Sequence, residues 1–335
     1  MKIIFFGIEK VKQSVLLDSF SNGEVSFFDD KLDEKTAIKA KDAEVLCVFV
    51  NSAVSKNIID MMPDLKLIVT RSTGFDHIDC DYAHSKGIKI AYVPSYGSHT
   101  VAEFTFGLIL NLSRNIITAN NYVKQSEDFN YFPTMEGFDL FGKTLGIIGT
   151  GKIGKNVIKI AKGFGLNILA YDLYRDTAFA KENNFEYQSL EEVLKNADIV
   201  TLHTPYTKEN HHLLNKENIS QMKKGVYLIN TARGELVDTE ALIWGLKEGI
   251  LAGVGLDVLE EERHLKDEKN FMASGKATEE EKKIIALNQE LMEMPNVTIT
   301  PHVAFYTKEA VEEIFKTTID NIKGFVENKP INLIK

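Results

Sequence analysis

The chain has 335 residues, 44% of them hydrophobic and 26% charged, the proportions of a soluble globular protein long enough for two cores. Its 39 Lys and Arg against 48 Asp and Glu leave a net charge of −9 with no long basic run, which argues against nucleic acid or an anionic membrane as the main partner. Two cysteines are too few for a disulfide framework, and MKIIFFG lacks the length and cleavage site of a signal peptide, so a cytoplasmic location is expected.

In the first hundred residues, segments 2–6, 44–50, 67–71 and 89–92 are short β-rich runs separated by longer, polar, helix-compatible stretches. Such alternation predicts a parallel sheet covered by helices. Pro94 to Ser98 has turn composition. Beyond it, residues 101–114 carry an apolar face of Val101, Phe104, Leu108 and Leu112 at helical spacing; this run contains Glu103 and is too short to span a bilayer.

A second alternating series begins at Lys143, with candidate strands at 144–148, 167–171, 199–202, 226–230, 253–256 and 297–300. Six strands with intervening helices make a complete dinucleotide-binding sheet. Residues 260–283 break the rhythm, being rich in Glu and Lys with Phe271 and Met272 as their main apolar residues. A solvated loop with a charged helix is the plain expectation there, and a mobile cover over the site the sharper one. The last segment, 308–326, reads as a helix on Phe315, Ile319, Ile322 and Phe325.

The run 144–148 leads into Gly149-Thr-Gly151-Lys152-Ile153-Gly154 and then a helix. Gly149 permits a tight turn, Gly151 lets the backbone approach a pyrophosphate, and Gly154 lets the helix pack on the strand, with backbone N–H groups at the helix start facing the phosphates. The following strand ends at Asp172, 18 residues after Gly154, where an acid binds the adenosine ribose hydroxyls. A carboxylate there repels a 2′-phosphate, so NAD is expected over NADP, although Arg175 nearby softens that preference.

Further on, VYLINTAR places Arg233 just after a buried-looking strand; its planar, permanently charged fork suits a carboxylate. The next strand runs into Asp257 and Glu262, and the last into Pro301-His302. His302 is the natural proton donor because imidazole titrates near neutral pH, and a carboxylate at Glu262 would orient it and favour its protonated form.

Read with these motifs, the chain resembles the D-isomer-specific 2-hydroxyacid dehydrogenases along essentially its whole length. The resemblance rests on Gly149-Thr-Gly-Lys-Ile-Gly154, Asn230-Thr-Ala-Arg-Gly234, Gly255-Leu-Asp-Val258 followed by Glu262, and Thr300-Pro-His302, with the family's 29-residue spacing from Arg233 to Glu262. Arg71-Ser-Thr-Gly-Phe-Asp-His-Ile-Asp79 and Thr300-Pro-His-Val-Ala-Phe-Tyr306 look most like the D-lactate dehydrogenase branch. One departure is the 40-residue interval from Glu262 to His302, longer than in close D-lactate relatives.

The resemblance implies two Rossmann-like α/β domains with doubly wound parallel sheets: a discontinuous substrate domain of residues 1–99 and 301–335, and an NAD-binding domain of residues 100–300. It implies that Arg233 holds the substrate carboxylate, His302 protonates the carbonyl oxygen and Glu262 keeps His302 protonated. Thr73 and Gly74 would bind the carboxylate through backbone N–H groups, with Tyr96 and Phe305 beside the substrate. Asp257 would lie near the nicotinamide amide, and His203, Thr204, Pro205, Asn210, Thr231 and Ala232 would line the coenzyme groove. His203 is equally readable as a plain strand-end residue.

The expected reaction is reduction of pyruvate with NADH by a D-lactate dehydrogenase. A dehydrogenase of bulkier 2-oxo acids, of the 2-hydroxyisocaproate or phenyllactate type, is the nearest alternative. An NAD-sensing, corepressor-like binding protein is an alternative of another class. A homodimer through the NAD-binding domain, or a higher homo-oligomer, is implied, with the helix at 101–114 and residues 115–141 as candidate contacts; the Phe129-Asn-Tyr-Phe132 cluster fits such a contact and fits a private hydrophobic staple equally well. No metal is expected.

Overall fold

The chain divides into two units, residues 1–96 with 306–335 and residues 97–305. The computed structural model describes every residue except 9, 21–23, 127, 266–270, 273, 274, 276 and 335.

In the first unit, β1 (Lys2–Phe6), β2 (Glu24–Phe28), β3 (Val45–Val48), β4 (Leu67–Thr70) and β5 (Lys89–Ala91) form one parallel sheet in the order β2-β1-β3-β4-β5. The inner strands read as unbroken apolar runs, VLCV and LIVT, because both faces of the sheet are covered. Ile4, Leu46 and Ile68 pack with Ile58, Met62 and Ile78 on one face. Phe5, Cys47 and Val69 pack on the other with Leu16, Phe20 and Ile322.

Ile322 belongs to the helix Lys308–Val326, so the end of the chain completes the core begun by its first residues. The Asn321 side chain donates to Tyr92 O at 2.9 Å, and Leu333 bridges to Ala91. This return makes the unit discontinuous. Strand β2 is absent from the sequence reading: Glu24-Val25-Ser26 alternates weakly, and an edge strand with one neighbour leaves its side chains only half-buried.

The second unit has seven parallel strands in the order β12-β11-β10-β9-β6-β7-β8. They are β6 (Thr144–Ile148), β7 (Asn167–Tyr171), β8 (Glu186–Tyr187), β9 (Ile199–Leu202), β10 (Val226–Asn230), β11 (Leu251–Leu256) and β12 (Val297–Ile299). The order runs outward in both directions from β6 and β9, the doubly wound arrangement whose switch point lies between those two strands. Six of these strands match the predicted runs to within two residues; β8, two residues long, is too short for periodicity to register.

Helices cover both faces of this sheet. The helix Ser98–Arg114 inserts Ala102, Phe106 and Ile109 beside Leu145 and Ile147, while Leu242, Ile243 and Leu246 pack on the opposite side. The helix Glu279–Glu293 is started by a capping box between Thr278 and Glu281 and buries Ile285, Asn288 and Leu291. Only its first five residues, 279–283, fall in the charged segment 260–283, which also holds the short helix Glu262–Leu265; most of the longer helix lies beyond the stretch where a charged helix is expected. Eight residues of the suggested cover, 266–270, 273, 274 and 276, lie outside the described residues.

The helix Ile116–Ser126 buries none of its residues. After it, Phe129 and Tyr131 are about nine-tenths exposed, whereas Phe132 meets Tyr122 edge-on at 4.4 Å. Among the described residues, no helix is long and apolar enough to cross a membrane.

Candidate active site

The sheet of the second unit aligns its strand ends in one row. Ile299 pairs with Leu256, Leu256 with Asn230, Asn230 with Leu202, Leu202 with Ile148 and Ile148 with Tyr171. Asp257, His203, the glycine loop and Asp172 follow directly from members of that row; Arg233 and His302 stand three residues beyond theirs, and Glu262 opens the short helix Glu262–Leu265 six residues beyond Leu256. Parallel strands in register thus bring to one edge residues that lie far apart in sequence, at the carboxyl ends where ligands of such sheets bind.

The glycines have the geometry that dinucleotide binding requires. Gly149 sits at φ +95°, and a Cβ there would lie 2.6 Å from the backbone of His203 and Thr204. A Cβ on Gly154 would meet the Gly149 carbonyl oxygen at 2.0 Å, so helix and strand close on each other only because both residues are bare. Before Gly151, by contrast, a Cβ would meet nothing within 4 Å. That open approach, at the residue preceding the helix Lys152–Gly163, fits a pyrophosphate against the helix N-terminus, with Lys152 and Ile153 in its first turn.

Asp172 is tied to the same loop. Its Oδ2 accepts from Thr150 N at 2.6 Å and Thr150 Oγ1 at 3.0 Å, and its Oδ1 from Tyr174 N at 2.8 Å. Thr150 Oγ1 also lies 2.8 Å from the Tyr187 hydroxyl. The sequence singles out Asp172 for the ribose; its hold on Thr150, and the part of Tyr187, depend on side-chain geometry that a residue spacing does not encode.

On the next strand end, His203 is buried, with Nε2 3.0 Å from Thr201 Oγ1 and Nδ1 without a hydrogen-bond partner among the described residues. Burial pushes its imidazole down to about 3, so the ring is neutral near pH 7 and is no proton donor. Thr204 and Pro205 follow. Asn210 closes the turn beyond them, donating to Pro205 O at 2.8 Å and accepting from Thr207 N at 2.7 Å.

After β10, Thr231 Oγ1 lies 3.0 Å from Thr105 Oγ1. The buried Asn230 accepts from Ala232 N at 3.0 Å and donates to Arg233 O at 2.8 Å. This clip fixes the main chain that presents Arg233. The guanidinium in turn donates from Nη1 to Ala232 O at 2.7 Å.

Glu262 and His302 are directly paired. Glu262 Oε1 lies 2.5 Å from His302 Nδ1, and Oε2 accepts from Leu259 N at 3.2 Å. His302 adopts φ +55°, a left-handed backbone unusual outside glycine. The loop around it explains how that is sustained: His302 N donates to Asp257 O at 2.8 Å, while the Asp257 carboxylate accepts from Thr300 Oγ1 at 2.6 Å and from Val303 N and Ala304 N at 2.9 Å. Burial raises the Asp257 carboxyl above its ordinary value, partly offset by these hydrogen bonds. Asp257 was singled out for the nicotinamide amide; the structure engages both of its oxygens in holding the His302 loop. Phe305 stands edge-on to the His302 ring at 6.5 Å.

Thr73, Gly74 and Tyr96 belong to the first unit. Thr73 Oγ1 donates to Val93 O at 2.9 Å, and the Gly74 carbonyl accepts from Ser72 Oγ at 2.6 Å, which shapes the loop after β4. Arg71, at the head of the motif that contains that loop, is a buried guanidinium that donates to the Phe6 and Gly7 carbonyls at 2.7 and 3.0 Å, partners that the motif does not reveal.

The family model for the D-isomer specific 2-hydroxyacid dehydrogenase NAD binding domain matches residues 106–304. The D-lactate dehydrogenase of Escherichia coli is 38% identical over 306 residues, covering 90% of this chain and 89% of that protein. An aromatic 2-oxoacid reductase of Clostridium sporogenes is 39% identical over 321 residues, 92% of each. Among solved structures, the Aquifex aeolicus D-lactate dehydrogenase complexed with NAD and lactic acid superposes with a TM-score of 0.89 at 38% identity, covering 98% of this chain and 96% of that one. With the glycine loop open at Gly151 and a family model of an NAD-binding domain, NAD is the coenzyme. The chain belongs to the D-isomer specific 2-hydroxyacid dehydrogenases, a family of oxidoreductases.

Proposed function

We propose that this enzyme is a D-lactate dehydrogenase that reduces pyruvate. The observation that carries the reading is the direct Glu262–His302 pair, at the same sheet edge as Arg233. NADH, when bound, would supply a hydride to the carbonyl carbon. Hydride arrival places negative charge on the carbonyl oxygen, and that charge needs a proton and a nearby cation.

Glu262 engages Nδ1 of His302, which leaves Nε2 as the nitrogen that delivers the proton. The carboxylate also fixes the ring plane. Arg233 takes the substrate carboxylate with a two-toothed hydrogen bond and so orients the 2-oxo group. Asp257 maintains the His302 loop, and Gly149–Gly154 with Asp172 receive the pyrophosphate and ribose. His203, Thr204, Pro205, Asn210, Thr231 and Ala232 line the coenzyme groove, while Thr73 and Gly74 receive the substrate carboxylate and Tyr96 and Phe305 its side chain. The exposed Phe129 and Tyr131, beside a helix that buries nothing of itself, are assigned to a homodimer contact.

The side chain of the substrate is where this reading is most exposed to test, because a pocket discriminates one extra apolar group by only about 1–3 kcal/mol. The aromatic 2-oxoacid reductase among its relatives makes the comparison pointed. Values of kcat/KM for pyruvate, 4-methyl-2-oxopentanoate and phenylpyruvate with NADH are expected to rank pyruvate first, and NADPH is expected to be the poorer coenzyme. A higher kcat/KM for phenylpyruvate would replace the lactate assignment with that of a reductase of bulky 2-oxo acids.

A further inference from the structure

We infer that His211, His212 and Glu260 form a divalent-metal site of the zinc class, separate from the catalytic trio. One ring nitrogen from each histidine and an oxygen of Glu260 lie within 4.8 Å of one another. The two imidazoles stack with centroids 3.8 Å apart and planes at 23°. His212 Nε2 stands 2.8 Å from Glu260 Oε1.

A plain histidine–glutamate hydrogen bond explains only part of this arrangement. It gives no reason for the second imidazole, exposed at the surface, to bring its nitrogen into the same small volume. Nor does it explain His212 at φ +51°, a left-handed conformation that a non-glycine residue adopts at a cost. That backbone is held by His212 N donating to Glu235 O at 2.9 Å. The Tyr206 hydroxyl, 3.5 Å from His211 Nδ1, steadies the outer ring.

The carboxylate is prepared as a ligand would be. Glu260 is buried, and its Oε2 accepts from Thr239 Oγ1 at 2.8 Å, which leaves Oε1 as the donor atom. A ligand oriented by an outer hydrogen bond is the usual build of a metal centre. Two imidazoles and one carboxylate suit zinc and its neighbours in the transition series, whereas magnesium and calcium favour all-oxygen sets. Zinc–ligand bonds of about 2.0–2.2 Å in tetrahedral geometry place donor atoms roughly 3.3 Å apart, so the His212–Glu260 pair needs to open by only about 0.5 Å. A second trio, Glu261, His264 and Glu281, lacks this preparation, because the Arg263 guanidinium already lies 3.2 Å from His264 Nε2.

The position gives the ion a consequence for the enzyme. Glu260 lies two residues before Glu262, and its main chain packs against Gly234, the neighbour of Arg233, so closely that a Cβ on Gly234 would fall 2.2 Å from Glu260 N. An ion here ties residues 211–212 to the segment that carries Glu262. It acts as a clamp behind the site, and it touches no reacting atom.

The test is calorimetric titration of the metal-stripped full-length protein with zinc chloride. One ion per chain is expected to bind, with a gain in Tm, and magnesium chloride is expected to give no binding at the same concentration. His211→Ala, a surface change, is expected to weaken zinc binding by about tenfold or more, and Thr239→Ala by roughly tenfold. His302→Gln is expected to leave it unchanged. Absence of zinc binding to the unaltered protein, equal affinity in His211→Ala, equal binding of magnesium, or a loss with His302→Gln matching that with His211→Ala would each overturn the assignment.

Discussion

Replacing His302 with Gln is expected to lower kcat for pyruvate reduction by about 100- to 10,000-fold, the usual worth of a positioned general acid. That range corresponds to about 3–5 kcal/mol of transition-state stabilisation. Glutamine keeps a polar side chain in the pocket between Glu262 and Phe305, but it has no proton to give near neutral pH. The loop itself is held from behind, through Thr300, Val303, Ala304 and the His302 backbone on Asp257, and none of those bonds involves the imidazole. NADH affinity is therefore expected to stay within a few-fold of the unaltered enzyme, approximately as for any change confined to the chemical step. Steady-state kinetics with fluorescence titration of NADH separates the two. Undiminished turnover would remove His302 from proton transfer, and loss of both properties together would mean that the loop had collapsed.

Arg233→Lys is expected to act mainly on substrate use. A lysine keeps the charge, but a single ammonium does not reproduce the planar fork that grips both carboxylate oxygens. A lost hydrogen bond to a charged group costs about 1.5–3 kcal/mol, so kcat/KM for pyruvate is expected to fall by roughly 10- to 150-fold. The Asn230 clip bonds to the main chain of residues 232 and 233 and survives the substitution. NADH binding and Tm are expected to change little, and near-normal kinetics would refute a carboxylate contact at Arg233.

These two residues also show what a sequence makes legible. Arg233 and His302 each stand three residues after a strand and Glu262 six, and strands of the second unit are short apolar runs that periodicity detects well. Their convergence at one edge follows from parallel register, which alternation of strands and helices already implies. The glycines were readable for the same reason: Gly149 and Gly154 face backbone at distances no side chain allows, and such constraints leave a fixed residue pattern.

What lay beyond reach was two-body geometry and weak edges. Beside the place expected for Asp257 near the nicotinamide, its three donors from residues 300, 303 and 304, over 40 residues away in sequence, are contacts that no local pattern shows. Thr150 as the partner of Asp172, the Arg71 bonds to Phe6 and Gly7, and the two stacked histidines all depend on contacts that no local pattern writes down. Strands β2 and β8 escaped because edge strands need neither length nor a clean alternation.

The most direct measurement is the absorbance of NADH followed while purified protein is offered a panel of 2-oxo acids, with chiral analysis of the product. The proposed D-lactate dehydrogenase activity, with the Glu262–His302 pair at the same sheet edge as Arg233, predicts NADH oxidation with pyruvate and formation of the D-isomer of lactate. NADH binding without turnover of any 2-oxo acid would contradict it, and would leave a dinucleotide sensor built on a dehydrogenase fold.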